Sequence, residues 1–109
     1  MMIKVYNSII PFKGYLAINL FGVLFVRKEF KGLIERDPTI ENHEAIHTAQ
    51  MRELLYVFFY IIYFFEWVYR LIFYTKTAYK GISFEREAYA NQNNLYYLKT
   101  RKHYAMWRR

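Results

Sequence analysis

The residues with the most chemical content in this chain are His43-Glu44-Ala45-Ile46-His47, two histidines four apart with a glutamate directly after the first. On a helix each residue advances by about 100°, so positions four apart stand about 40° from one another and one turn along the axis. Both imidazoles then point the same way and can share one tetrahedral Zn²⁺. Glu44 sits beside them, where its carboxylate reaches a metal-bound water rather than the metal. Zinc lowers the pKa of such a water to about 7, and a nearby carboxylate can take its proton. The chemistry this implies is attack of hydroxide on a polarised carbonyl. The competing reading is a pair of core histidines hydrogen-bonded to backbone or carboxylate, since buried imidazoles need partners with or without a metal.

A third ligand is required. The chain has no cysteine, which excludes disulfides, thiolate zinc sites and cysteine nucleophiles and leaves His and carboxylate as the strong donors. Glu85 and Glu87 lie in a later helical segment and point to nearly opposite faces. Glu85 shares its side with Gln92, Tyr96 and Lys99, a solvated set. Glu87 shares its side with Phe84, Ala90, Asn91, Asn94, Leu95 and Leu98. Glu87 is therefore the expected ligand, with Glu85 and His103 as its rivals. Gln50, one turn beyond His47, reads as a satisfied core polar residue or as a group bonded to a ligand.

The elements that must hold these groups follow from pattern and punctuation. Residues 5–10, 15–21 and 23–26 are β-rich runs separated by Pro11, Gly14 and Gly22, which predicts two or three short antiparallel strands. Asp37-Pro38 is a helix start: Asp caps free amides and Pro suits the first helical position. No Gly or Pro follows until Gly81, so one long helix or two in succession fill residues 39–74, and a last helix covers residues 83–102 after a break at 75–81. On one continuous helix, the histidine face extends through Leu54, Val57, Phe58, Ile61, Phe65, Val68 and Ile72 as a core stripe. Tyr56, Tyr60, Tyr63, Trp67 and Tyr74 then lie on the outer flank. The expected fold is α+β, a single domain over residues 1–109: N-terminal antiparallel strands, a long helix carrying His-Glu-x-x-His, and a C-terminal helix carrying the glutamate.

With these residues in place the chain resembles the gluzincin zinc metallopeptidases. It looks most like the heat-shock and CAAX-prenyl-protease type and is about as small as the minimal single-domain members. The resemblance rests on His43-Glu44-x-x-His47, a hydrophobic stretch, and Phe84-Glu85-Arg86-Glu87-Ala88-Tyr89-Ala90-Asn91. It implies Zn²⁺ bound by His43, His47 and Glu87, Glu44 as catalytic base, hydrolysis of peptide bonds, and a sheet edge that binds an extended peptide. In that family an Asp stands four residues after the ligand Glu and supports a ligand histidine. Here that place holds Asn91, which brings no negative charge.

Composition limits the other classes. The chain is 55% hydrophobic and 22% aromatic, more aromatic than 109 residues can bury, so some rings face a partner, a membrane surface or a ligand. The Tyr-rich flank is the expected surface for a membrane or for a homo-oligomer. The net charge is +7, denser near the C-terminus, yet no nucleic-acid module is present and none is expected as a partner. Residues 1–10 lack the pattern of a secretory signal, which favours a cytoplasmic protein, with membrane association left open by the apolar run 54–74. Against the hydrolase stands a zinc-binding or metal-free module of the same shape that acts by binding a partner or a membrane surface, and, last in rank, a basic binder of nucleic acid or anionic lipid that uses the C-terminal charges and exposed tyrosines.

Overall fold

A computed structural model describes residues 2–74 and 78–108. It is a mixed α+β fold, with the strands in the N-terminal part and the helices after them. Three strands, β1 (Ile3–Asn7), β2 (Ala17–Leu20) and β3 (Val23–Arg27), form one sheet in the order β1-β3-β2. β2 and β3 form a hairpin whose turn residues Phe21 and Gly22 both have positive φ, 53° and 91°. That combination is the one whose twist matches paired strands, and Gly takes it without strain. The expected antiparallel sheet needs a correction: β1 pairs parallel with β3. β3 is the most apolar of the three, with Leu24 and Val26 fully buried, and takes the centre. The loop after β1 carries the chain to the far side of β3.

Among the described residues six α-helices follow in sequence: α1 (Lys31–Arg36), α2 (Pro38–Glu53), α3 (Val57–Phe73), α4 (Ala78–Gly81), α5 (Ser83–Asn91) and α6 (Tyr97–Thr100). α2 begins as expected, with Asp37 accepting the Thr39 amide at 3.0 Å and Pro38 in the first turn. Its first turn is tied to β1 by Glu41, which accepts from the Met2 amide and the Lys4 ammonium, each at 2.9 Å.

Residues 39–74 form two helices bent by 111°. The break falls where Leu55 and Tyr56 adopt positive φ, 54° and 61°. This reverses the expected stripe. Phe59, Tyr60, Ile62 and Tyr63 of α3 pack on Met51, Ile82, Phe84 and Met106, whereas Phe58, Ile61, Phe65 and Ile72 are exposed. Tyr56, Tyr60 and Tyr63, expected outside, are half-buried against this core. The last helix is also interrupted. The side-chain amide of Asn42 donates to the carbonyls of Asn91, Gln92 and Asn94 at 2.8–3.3 Å, so α2 satisfies the open end of α5. Of the expected break at 75–81, residues 75–77 lie outside the described residues, and 78–81 form the short α4. The N-terminus of α5 is held by Glu66, which accepts from the Ser83 amide at 2.9 Å and its hydroxyl at 2.6 Å.

Two apolar clusters result. One lies under the sheet around Leu24, Val26 and Ile34; the other joins α3, α5 and the turn at Met106. α2 borders both and turns its histidines toward α5.

Candidate metal centre

His43 and His47 leave α2 one turn apart and converge on α5. Their Nε2 atoms each lie 3.1 Å from the same oxygen, Oε1 of Glu85. The donor atoms of these three residues all fall within 4.8 Å of one another, and all three side chains are buried. The edges of a tetrahedron with zinc-to-ligand bonds of 2.0–2.1 Å are about 3.3 Å. The donors thus have the spacing and chemistry of a three-ligand divalent site, two imidazoles and one carboxylate.

Glu85 occupies the third position, and Glu87 does not. The helix-face reasoning separates the two glutamates correctly, but the expectation for Glu87 needs correcting because Glu87 is bound elsewhere. It accepts from Arg101 Nε at 2.6 Å, Tyr97 Oη at 2.7 Å and Gln50 Nε2 at 2.9 Å. Arg101 also donates to Glu53 at 2.9 Å, so a buried guanidinium lies between two carboxylates. A buried carboxylate goes where its charge is best matched, and for Glu87 that is Arg101. The polar face of Glu85 and Gln92, read from sequence as solvated, is the one facing the histidines. His103 is remote from the cluster: its exposed ring pairs with Glu53, which also takes the Tyr104 amide.

The outer contacts fix the imidazoles. Gln50 Nε2 donates to Phe84 O and to Glu87, so its Oε1, 2.8 Å from His47 Nδ1, must accept. His47 therefore carries a proton on Nδ1, which leaves Nε2 as the atom that faces Glu85 and that would meet a metal. Gln92 Oε1 sits 2.7 Å from His43 Nδ1 in the same role. Two neutral amides thus hold both imidazoles. Asn91 takes no part: its amide donates back to the Glu87 carbonyl within α5. Four residues after Glu85 stands Tyr89, whose ring meets that of His43 edge-on at 4.7 Å between centroids.

Electrostatics follow from burial and neighbours. Burial pushes the Glu85 carboxyl up, but hydrogen bonds from both histidines and from Tyr63 (2.7 Å) overcome it and hold the group well below the usual carboxylate range. Burial also opposes charge on His47, yet the hydrogen bond and charge of Glu85 prevail and raise its pKa to about 9. Without metal, His47 and Glu85 thus form an ion pair, and His43 Nε2 lies at hydrogen-bond distance from the same carboxylate oxygen. Burial raises the pKa of Glu44, against the pull of both histidines.

Glu44, His47 and Glu85 line one cleft of about 290 Å³, whose walls are Ala17, Ile18 and Asn19 of β2 and Tyr60, Tyr63 and Tyr79. Asn19 ties β2 to α2 by donating to the Glu44 carbonyl at 2.9 Å and to the Thr48 hydroxyl at 3.0 Å. Sequence reasoning did not single out Gln92, Tyr63 or Tyr79. Gln92 was findable, because it lies seven residues after Glu85 on the same helical side. Comparison with known protein families, with curated proteins and with solved structures gives no match, so the reading of this site rests on its geometry alone.

Proposed function

We propose that the chain is a zinc-dependent peptidase of gluzincin type, with His43, His47 and Glu85 holding the metal and Glu44 as general base. The observation that carries this reading is the convergence of two His Nε2 atoms on one Glu85 oxygen, with Glu44 opening into the same cleft. Zinc bound there supplies a Lewis acid and acidifies water at the site. Glu44 takes the proton. Burial raises its pKa in the metal-free chain, which favours proton uptake by the carboxylate. Tyr63 holds the Glu85 carboxylate by its second oxygen and so keeps the first aimed at the histidines. β2 is an edge strand and borders the cleft, so an extended substrate can pair with its free edge.

The test compares the wild-type chain with Glu44→Gln, both grown in zinc and assayed for metal content and for cleavage of an unfolded protein. The expected result is about one zinc per chain in both, with turnover lowered by about 10² to 10⁴ in Glu44→Gln and abolished by chelator. A wild-type chain with no zinc and no affinity for it overturns the reading. Zinc in both proteins with turnover in neither leaves the non-catalytic rival, a module in which the metal only joins α2 to α5.

A further inference from the structure

The outer face of α3 is the largest feature of the molecule that the metal site does not explain. Phe58, Ile61, Phe64, Phe65, Ile72 and Phe73 are each 45–66% exposed on one helix of 17 residues, about 25 Å long. The charged residues of α3 are Glu66 and Arg70, and both turn inward. Glu66 caps α5 through Ser83, while the Arg70 guanidinium covers the Tyr74 ring at 4.3 Å and occupies the space where residue 81 would carry a Cβ. An uncharged apolar surface of this length marks a non-aqueous neighbour.

We propose that α3 lies in the plane of an anionic lipid surface, with its apolar face among the acyl chains and the rest of the domain in water. Insertion across the bilayer is excluded for α3 alone, because among the described residues no single helix is long and apolar enough. The bent pair α2–α3 has the composition of a span, but α2 is the buried, histidine-bearing helix of the fold and cannot leave it. Charge decides between lipid and a second copy of the chain. Two copies bring +7 to +7, whereas an anionic surface is attracted by that charge. Trp67, Tyr69 and Tyr74, all exposed, gather in the C-terminal half of the helix, and such rings favour the headgroup level.

This placement also orients the cleft. Tyr60, Tyr63 and Tyr79 line the cleft of the metal cluster, and with Phe64 and Trp67 they line an adjoining depression on α3. A docked α3 therefore sets that cleft beside the lipid surface. The inference stands on α3 alone and does not require the peptidase reading.

The experiment is co-sedimentation of the full chain with vesicles of phosphatidylglycerol and phosphatidylcholine, and with vesicles of phosphatidylcholine only. The comparison variant is Phe58→Ser/Phe65→Ser/Ile72→Ser, with circular dichroism and melting temperature confirming its fold. The wild-type chain is expected to pellet with the anionic vesicles at least tenfold more tightly than with neutral ones. The triple variant is expected to lose at least tenfold of that binding. A chain that stays in the supernatant with both vesicles overturns the proposal, as does binding that the triple variant keeps. A wild-type dimer in analytical ultracentrifugation, split by the triple variant and indifferent to vesicles, overturns it in favour of a second copy.

Discussion

α2 and α3 are neighbours in the chain and opposites in chemistry. α2 buries Asn42, His43, His47, Thr48 and Gln50, whereas the only fully buried residue of α3 is Phe59 and most of its apolar side chains face out. Globular helices usually turn apolar groups inward and polar groups outward. Here one helix inverts the rule on its inner face and the next inverts it on its outer face. The inner inversion is stable because His43, His47 and Gln50 each find a polar partner, and buried polar groups without one are costly. Among the described residues no such match covers the outer inversion, the face for which an anionic lipid surface is proposed.

That contrast can be broken at several points. The largest effect is expected at Glu85. Glu85→Gln should lose most of the zinc measured by elemental analysis, while Glu87→Gln keeps it despite lower stability from removing one of the two carboxylates that flank Arg101. Retention in Glu85→Gln and loss in Glu87→Gln would show that α2 turns its polar face to a different side of α5.

Within α3, one residue type tests both faces. Phe59→Ala, at 4% exposure, should cost about 3–5 kcal/mol in denaturant unfolding. Phe65→Ala, at 66% exposure, should stay within about 0.5 kcal/mol in the absence of lipid. Equal costs would mean that the two faces of α3 are not distinguished in the folded chain.

Smaller effects sharpen the inner side. Gln50→Leu and Gln92→Leu each remove an acceptor from a histidine Nδ1 and should weaken zinc binding by about 10- to 100-fold in competition with a chelating dye. Unchanged affinity would mean that the imidazoles are held by packing alone.

The smallest effect is a pH dependence of the metal-free protein. His47 has a folded pKa of about 9 against 6.5 unfolded, so its pairing with Glu85 contributes fully below pH 6.5 and is lost as pH rises through 9. Glu85 and Glu53 have depressed pKa values, so their contributions are present above the ordinary carboxylate pKa and fall away in acid. The melting temperature of the metal-free chain should therefore fall from pH 6.5 to 9. A melting temperature that is flat over this interval argues against an ion-paired cluster.

Local chemistry was legible in the sequence. The convergence of His43 and His47 needs only helical spacing, and the cap at Asp37-Pro38 needs only its own backbone, and both are present in the fold. What crossed a break in the chain was not legible. The face arithmetic from His43 is sound to Leu54, which packs on the core, and fails beyond it, because Leu55 and Tyr56 reset the phase of the next helix. The choice between Glu85 and Glu87 failed for a related reason. Tyr96 and Lys99 were counted on the Glu85 side, although α5 ends at Asn91 and they lie past it. Arg101, the residue that claims Glu87, lies in a later segment that periodicity does not connect to α5. The parallel pairing of β1 with β3 was equally hidden, since hairpin signals describe only consecutive strands.

Asn42 closes the end of α5, Gln92 orients His43 and Arg101 reaches Glu53, contacts that span 48–52 residues of chain. These separations impose an order on synthesis. His43 and His47 leave the ribosome first and must wait about forty residues for Glu85. During that interval the only donors are two imidazoles on a short helix, and an isolated helix of this length is marginal in water. On the proposed metal reading, tight uptake would thus be a late event in the life of each chain, after α5 has brought Glu85 to the two histidines. Synthesis faster than folding would then accumulate chains that carry both histidines without the third donor.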